Sequence, residues 1–213
     1  MSEPEDLSSV HLRRAQSRLG QTLRGKYTLL ELLGLGGMCA VYKAVHRNGH
    51  KVALKMLHLE LSLDVDARKR FLKEGYAANN VDHPAVVRVT DDDIAEDGAV
   101  FVVMELLEGE TLETLAEKGG GQLPHFMVMN AAHQLLDALA AAEEKGVLHR
   151  DIKPANLFWT SDGTLKLLDF GIARITSDTG TATASGRVFG TPAFMSPEQA
   201  MGKRSDVDHR SDL

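Results

Sequence analysis

Short apolar runs, too short for helices, occur at Tyr27–Leu33, Val41–Val45 and Lys51–Leu57, and they predict strands. Asn48-Gly49 between the second and third is a hairpin turn signal. Asp64 is placed to cap a helix running to about Asn80, with Ala67, Phe71, Leu72 and Ala78 near one face. Val86–Val89 and Val100–Met104 read as two more strands, with Asp97-Gly98 in their connection. The pattern then turns helical. Leu112–Glu117 predicts a short helix ended by Gly119-Gly120-Gly121, and Pro124 suits the first turn of a long one. Ala131, Leu135, Ala138, Leu139 and Ala142 follow a helical period, and Gly146 ends it. Leu157–Trp159 and Leu165–Leu168 predict a small hairpin around Asp162-Gly163. Residues 1–24 predict a mobile leader with at most a helical turn near Val10–Leu19, and the Thr/Ser/Gly-rich stretch 172–190 predicts a mobile loop.

Composition narrows the classes. The 213 residues are 43% hydrophobic and 25% charged, enough to bury a core, which argues against wholesale disorder. Lys and Arg total 24 against 30 Asp and Glu, a net charge of −6, so a general nucleic-acid binder is disfavoured. Cys39 is the sole cysteine, which excludes an intrachain disulfide and fits a reducing compartment, the cytoplasm. No apolar run reaches membrane-spanning length, and Met1–Ser9 is acidic and polar, unlike a secretory signal.

Three segments carry chemistry. Gly34-Leu35-Gly36-Gly37 lies between two predicted strands, where glycines let backbone N–H groups approach phosphate oxygens. On its own it fits an ordinary turn better, and a Rossmann fingerprint is disfavoured because no helix follows. Val52-Ala53-Leu54-Lys55 ends an apolar strand on a cation, which alone reads as a snorkelling lysine. Glu74, nineteen residues on, alone reads as a solvated helix carboxylate. The decisive string is His149-Arg150-Asp151-Ile152-Lys153-Pro154-Ala155-Asn156, with Asp169-Phe170-Gly171 following. A carboxylate that orients a hydroxyl, a lysine for a phosphoryl group and two oxygen ligands for Mg²⁺ are the parts of phosphoryl transfer.

With these residues the sequence resembles the protein kinases, and looks most like bacterial eukaryotic-like (Hanks-type) Ser/Thr kinases. The resemblance runs from Tyr27 to Leu213 and rests on five motifs in the family's order. They are the glycine loop, Val-Ala-Leu-Lys at 52–55, the catalytic loop at 149–156, Asp-Phe-Gly at 169–171, and Ser196-Pro197-Glu198 preceded by Gly190-Thr191-Pro192. It implies an α+β, two-lobed protein-kinase-like fold. Residues 25–107 would form a small antiparallel β lobe with one long helix plus the hinge, and 108–213 part of a helical large lobe.

The resemblance also implies roles, with ATP and Mg²⁺ as cofactors. Gly34, Leu35, Gly36 and Gly37 would cover the phosphates, and Lys55 would contact them while pairing with Glu74. Met104 would be the gatekeeper, Glu105 and Leu107 would offer hinge backbone groups, and Val41, Ala53 and Phe158 would sandwich the adenine. Asp151 would be the catalytic base, Lys153 would meet the γ-phosphate, and Asn156 and Asp169 would hold the metal. Thr191 would position substrate. Thr183 and Ser185 would be phosphorylated and pair with Arg150.

Three features depart from the family's common pattern, the mildest being Ala155, which stands where animal kinases commonly have Glu, a departure bacterial members often share. Cys39 stands where many kinases have the loop's third glycine. Ser211-Asp212-Leu213 matches the start of the family's central large-lobe helix, which implies an incomplete large lobe. The expectations are a frayed Asp212, an exposed apolar face on the helix at 124–145, either low solubility or a molten large lobe beside a better ordered small lobe, and weak catalysis. The function implied is a signalling transferase that phosphorylates Ser/Thr hydroxyls on protein substrates. A non-catalytic nucleotide-binding or regulatory fragment is the alternative, and a small-molecule kinase is disfavoured by the Ser-Pro-Glu segment.

Overall fold

The computed structural model describes residues 7–170 and 192–213. Two compact units divide the chain, Met1–Leu72 with Arg88–Leu107, and Lys73–Val87 with Glu108–Leu213.

The first unit is built on an antiparallel sheet of six strands. These are β1 (Thr22–Leu23), β2 (Tyr27–Leu35), β3 (Cys39–His46), β4 (Lys51–Leu57), β5 (Val89–Ile94) and β6 (Val100–Glu105), in the order β1-β2-β3-β4-β6-β5. The β3–β4 hairpin turns where Asn48-Gly49 predicts it: Gly49 has φ +88°, and Asn48 Oδ1 accepts from His50 N at 3.0 Å. Alternation along β4 sends Val52, Leu54 and Met56 into a core shared with Leu29, Tyr42, Phe101 and Val103. Ala53 and Lys55 therefore lie on the opposite face.

Two parts of this unit differ from the sequence-based expectation. The leader is not wholly mobile, because Leu7–Ser17 forms helix α1 and Ala15 enters the core. Arg18 pairs with Asp97, Arg14 pairs with Glu60, and Tyr42 Oη donates to Ala15 O at 3.3 Å. The strand expected at Val86–Val89 lies instead at Val89–Ile94. Its acidic run hides it from a hydrophobicity pattern, but on a sheet edge Lys26 sits 3.6 Å from Asp93 and Tyr27 Oη donates to Asp91 at 2.7 Å. That phenol's pKa is pushed up to about 12, first by burial and then by the Asp91 carboxylate.

Helix α2 (Leu59–Ser62) is one turn, and α3 (Val65–Asn79) follows the Asp64 cap as expected. Asp64 Oδ1 accepts from Asp66 N at 2.8 Å and Ala67 N at 3.0 Å, and these bonds lower its carboxyl pKa. The division between the units falls within α3.

The second unit packs helices against a small sheet of β7 (Gly109–Thr111), β8 (Leu157–Thr160) and β9 (Leu165–Leu167), in that order. Thr111 caps α4 (Leu112–Lys118) by accepting from Thr114 N at 3.1 Å. Helix α5 (His125–Glu144) buries Ala131, Ala138 and Ala142, with Leu135 and Leu139 packed beside them. Its Gln134 bonds both sides of the β8–β9 turn, donating to Gly163 O at 3.1 Å and accepting from Leu165 N at 2.8 Å. As expected, α5 also presents an apolar outer face: Phe126 is 71% and Met129 59% exposed. Among the described residues no helix is long and apolar enough to cross a membrane.

Candidate active site

In the first unit, strand register gathers the expected nucleotide residues on one face. Val41 lies opposite Lys55, and Ala53 opposite Met104. Val41, Ala53, Lys55 and Met104 thus share the face turned away from the unit's core. Lys55 is 6% exposed. Glu105 pairs with Val52 at the strand end, and its Oε1 accepts from Arg88 N at 3.3 Å. Leu107 follows as the last residue of the unit.

The glycines at the end of β2 and in the turn to β3 are not explained by the fold. None of Gly34, Gly36 and Gly37 has a positive φ. A Cβ on Gly34 or Gly37 would meet nothing within 4 Å, and on Gly36 would meet Cys39 O at an ordinary 3.6 Å. Conformation and internal packing both tolerate side chains there, so the bare backbone suits close approach by a ligand.

In the second unit, Gly146 ends α5 with φ +65° and the chain enters the segment 147–153. His149 is fully buried, and its Nε2 lies 2.9 Å from Leu168 O. A carbonyl only accepts, so Nε2 carries the hydrogen, and Nδ1 accepts from Asp151 N at 3.3 Å. Burial lowers this imidazole's pKa and keeps it neutral; Asp212 foremost opposes that shift. The ring also packs on Phe170 with centroids 4.7 Å apart.

Asp151 sits between two donors. Asn156 Nδ2 donates to Asp151 Oδ2 at 2.7 Å and to its carbonyl at 2.8 Å, and Lys153 Nζ lies 2.8 Å from the same Oδ2. With its nitrogen committed to Asp151, the Asn156 amide has Oδ1 as its ligand atom. A 3-10 turn at Pro154–Asn156 fixes this geometry, and Leu168 N donates to Asn156 O at 2.9 Å. That bond brings the residue before Asp169 against Asn156. Asp169 itself has φ +62°, a conformation that only specific surroundings maintain. One amide and one carboxylate oxygen are the hard donors a divalent cation takes, so the residues present fit such an ion.

Asp212 corrects the expectation of fraying. It is 7% exposed, and its two oxygens accept from His149 N at 2.7 Å and Arg150 N at 2.6 Å. A 3-10 turn at His209–Asp212, capped by Asp208, delivers it. Gln199, which ends the Met195–Gln199 motif of the family, has a structural role that the motif does not assign. It forms a capping box with Ser196 on α6 (Pro197–Ala200), and its Nε2 reaches Arg150 O at 2.9 Å. The Ser-x-x-Gln spacing was the available signal for the box, though not for the longer bond. Ser211 Oγ donates to Glu198, lowering that carboxyl's pKa.

Phe158 lies on β8, opposite Thr111 and Lys166, and Glu74 lies on α3. Gly171, Thr183, Ser185, Thr191 and the expected mobile loop lie outside the described residues.

Comparison with known proteins agrees with this arrangement. Residues 27–213 match the protein kinase domain family. A probable serine/threonine-protein kinase of Streptomyces coelicolor is 41% identical over 196 residues, covering 90% of this chain and 29% of that protein. Serine/threonine-protein kinase pkn3 of Myxococcus xanthus is 41% identical over 203 residues, covering 92% and 37%. The chain thus spans well under half the length of these relatives. The solved PknI kinase domain of Mycobacterium tuberculosis superposes with a TM-score of 0.65 at 30% identity, covering 91% of this chain and 71% of that one. Protein kinases in general use ATP and a divalent metal. The chain belongs to the protein kinase family, among its bacterial serine/threonine members.

Proposed function

We propose that the chain transfers the γ-phosphoryl group of ATP to serine or threonine hydroxyls of protein substrates. One observation carries the proposal: Asp151 Oδ2 is held at once by Asn156 Nδ2 at 2.7 Å and Lys153 Nζ at 2.8 Å. A carboxylate fixed in this way orients a hydroxyl and accepts its proton as the oxygen attacks the γ-phosphorus. The bond from phosphorus to the β–γ bridging oxygen breaks, and ADP leaves. Lys153 offsets charge on the transferring group.

In the first unit, Gly34, Leu35, Gly36, Gly37 and Lys55 take the phosphates. Val41, Ala53, Met104, Glu105 and Leu107 take the adenine, with Phe158 of the second unit assigned to the same base. Glu74 keeps Lys55 oriented. Asn156 and Asp169 hold Mg²⁺, which when bound neutralises phosphate charge. Thr191 positions substrate, and Thr183 and Ser185 are the hydroxyls modified in the activation segment, where Arg150 receives the phosphate. The cytoplasm, reducing and supplied with ATP, suits this chemistry and a single buried cysteine.

The test is transfer of labelled γ-phosphate to a generic basic protein by the purified chain with Mg²⁺. Incorporation at serine and threonine that disappears in Asp151→Asn is expected. Labelling that persists in Asp151→Asn, or a folded chain that binds no ATP by calorimetry, overturns the proposal.

A further inference from the structure

The turn that joins β2 to β3, Gly36-Gly37-Met38, carries two adjacent glycines, which bring no side chains to hold it. Gly36 N donates to Cys39 O at 2.8 Å across the turn. Among the described residues, His58 grips it from outside. His58 N donates to Met38 O at 2.8 Å, and His58 Nε2 lies 2.9 Å from Gly36 O. Because a carbonyl only accepts, this nitrogen carries the hydrogen. His58 thus clasps the carbonyls on either side of Gly37, from a position three residues beyond Lys55.

The imidazole is in turn held from behind. His11 of α1 stacks on it with ring centroids 3.9 Å apart and planes at 23°. The helix is fixed to the rest of the unit by Ala15 in the core, by Arg18 on Asp97 and by Arg14 on Glu60. Glu60 belongs to the one-turn helix that directly follows His58. Burial lowers the His58 pKa, and the charged or titratable groups about it are His11, Arg14 and Glu60. The neutral ring with its hydrogen on Nε2 is therefore the form that makes the bond. A small cavity of about 10 Å³ lies between α1 and the ends of β3 and β4, bordered by Arg14, Tyr42 and His58 among others.

We propose that His58 is a positioning residue for the glycine loop, and that helix Leu7–Ser17 sets its grip through His11. A nucleotide loop must present its N–H groups in one geometry, and loops without side-chain anchors exchange among many. His58 restricts that exchange, and α1 gives a segment outside the catalytic motifs a hold on phosphate binding. The consequence for nucleotide rests on the function proposed above; the clamp itself does not.

The test uses the full chain with three substitutions. His58→Phe keeps the ring and the stack and removes the Nε2 donor. His58→Gln restores a donor, and His11→Ala removes the stack alone. Amide hydrogen exchange over residues 34–40 is followed without nucleotide, alongside the thermal midpoint and the KM and kcat for ATP. Losing one such bond is expected to speed exchange about fivefold and raise KM for ATP by a similar factor, with kcat within about twofold. His58→Gln is expected to recover most of both, and His11→Ala to fall between.

Unchanged exchange over 34–40 in His58→Phe overturns the clamp. A loss of protection spread evenly over the unit, with no recovery in His58→Gln, overturns it as well by showing a packing role only. If His58→Phe does not fold, His11→Ala decides, and wild-type exchange there overturns the role of the helix. A wild-type chain that binds no ATP sinks the kinase reading, while the exchange measurements still decide whether His58 holds the loop.

Discussion

The backbone N–H of Arg150 donates to Asp212 Oδ1 at 2.6 Å, and Arg150 at that point has φ +68°. A left-handed conformation costs an ordinary residue about 1 kcal/mol. At this residue two consecutive N–H groups, of His149 and Arg150, meet one buried carboxylate. On the other side of the residue, Gln199 Nε2 donates to Arg150 O at 2.9 Å. The residue before Asp151 is thus fixed at both ends by side chains distant in sequence.

Asp212→Ala removes the acceptor from one buried and one partly buried N–H group. The expected cost is about 3 kcal/mol of stability. Displacement of Asp151 by even about 1 Å is expected to lower turnover about a hundredfold. Urea unfolding and phosphate-transfer rates measure the two effects. An unchanged unfolding midpoint would show that the carboxylate does not secure this segment.

Asp151→Asn keeps the shape of the side chain and removes the proton acceptor. Transfer is expected to fall about a thousandfold, within the range general bases supply. ATP affinity is expected to stay within about twofold, because no phosphate or adenine contact is assigned to Asp151. Calorimetry with ATP and Mg²⁺ separates the two. A parallel loss of affinity would mean that the substitution disturbs the nucleotide site as well.

Local pattern carried much of this structure. The apolar run Lys51–Leu57, the Asp64 cap and the period of Ala131, Ala138 and Ala142 all lie where the physics of short segments puts them. Dense motifs such as His149–Asn156 and Asp169-Phe170 were legible because so many polar groups in one string have no packing explanation. What escaped depends on partners far along the chain. Helix α1 reads as polar, and its hold comes from Arg14 on Glu60 and Arg18 on Asp97, separated by 46 and 79 residues. The strand β5 looks like an acidic loop until Lys26 and Tyr27 are beside it. Asp212 reads as frayed by position, yet the N–H groups its carboxylate holds lie 62 and 63 residues earlier. His58 belongs to no motif and acquires its role through Gly36 and Met38.

Gly109→Ala is expected to be severe. Gly109 has φ +145°, and a Cβ there would sit 2.1 Å from Trp159 O and 2.8 Å from Thr160 Cα. Both are backbone atoms of β8, so no side chain can swing aside. Strain and clash together are expected to cost more than about 3 kcal/mol. Circular dichroism melting checks this, with Gly120→Ala as the comparison: that glycine also has a positive φ, but a Cβ on it meets nothing within 4 Å. Equal losses in the two variants would place the whole cost in conformation and none in the approach to β8.

Acid is expected to loosen the catalytic segment through His149. Its ring is fully buried, donates from Nε2 to Leu168 O and accepts at Nδ1 from Asp151 N. A second proton would need Nδ1, which already faces an N–H donor. Burial is the leading cause of the lowered pKa, so the folded protein takes up a proton at lower pH than the unfolded chain. The unfolded value lies near 6.5. Above it both states are neutral and the contribution of His149 to stability is complete. As pH falls below it the unfolded state binds the proton first, and stability drops until the folded pKa is reached. His58, whose pKa is also lowered by burial, acts in the same direction. For one proton the slope reaches about 1.4 kcal/mol per pH unit. Urea midpoints at a series of pH values from 7.5 down to 5 measure it, with His149→Phe beside the wild type. The variant is less stable at neutral pH, having lost the bond to Leu168, but it has no imidazole at 149 to titrate. Its dependence on pH below 6.5 should therefore be shallower than that of the wild type, and parallel curves would mean that His149 is not the group taking up the proton.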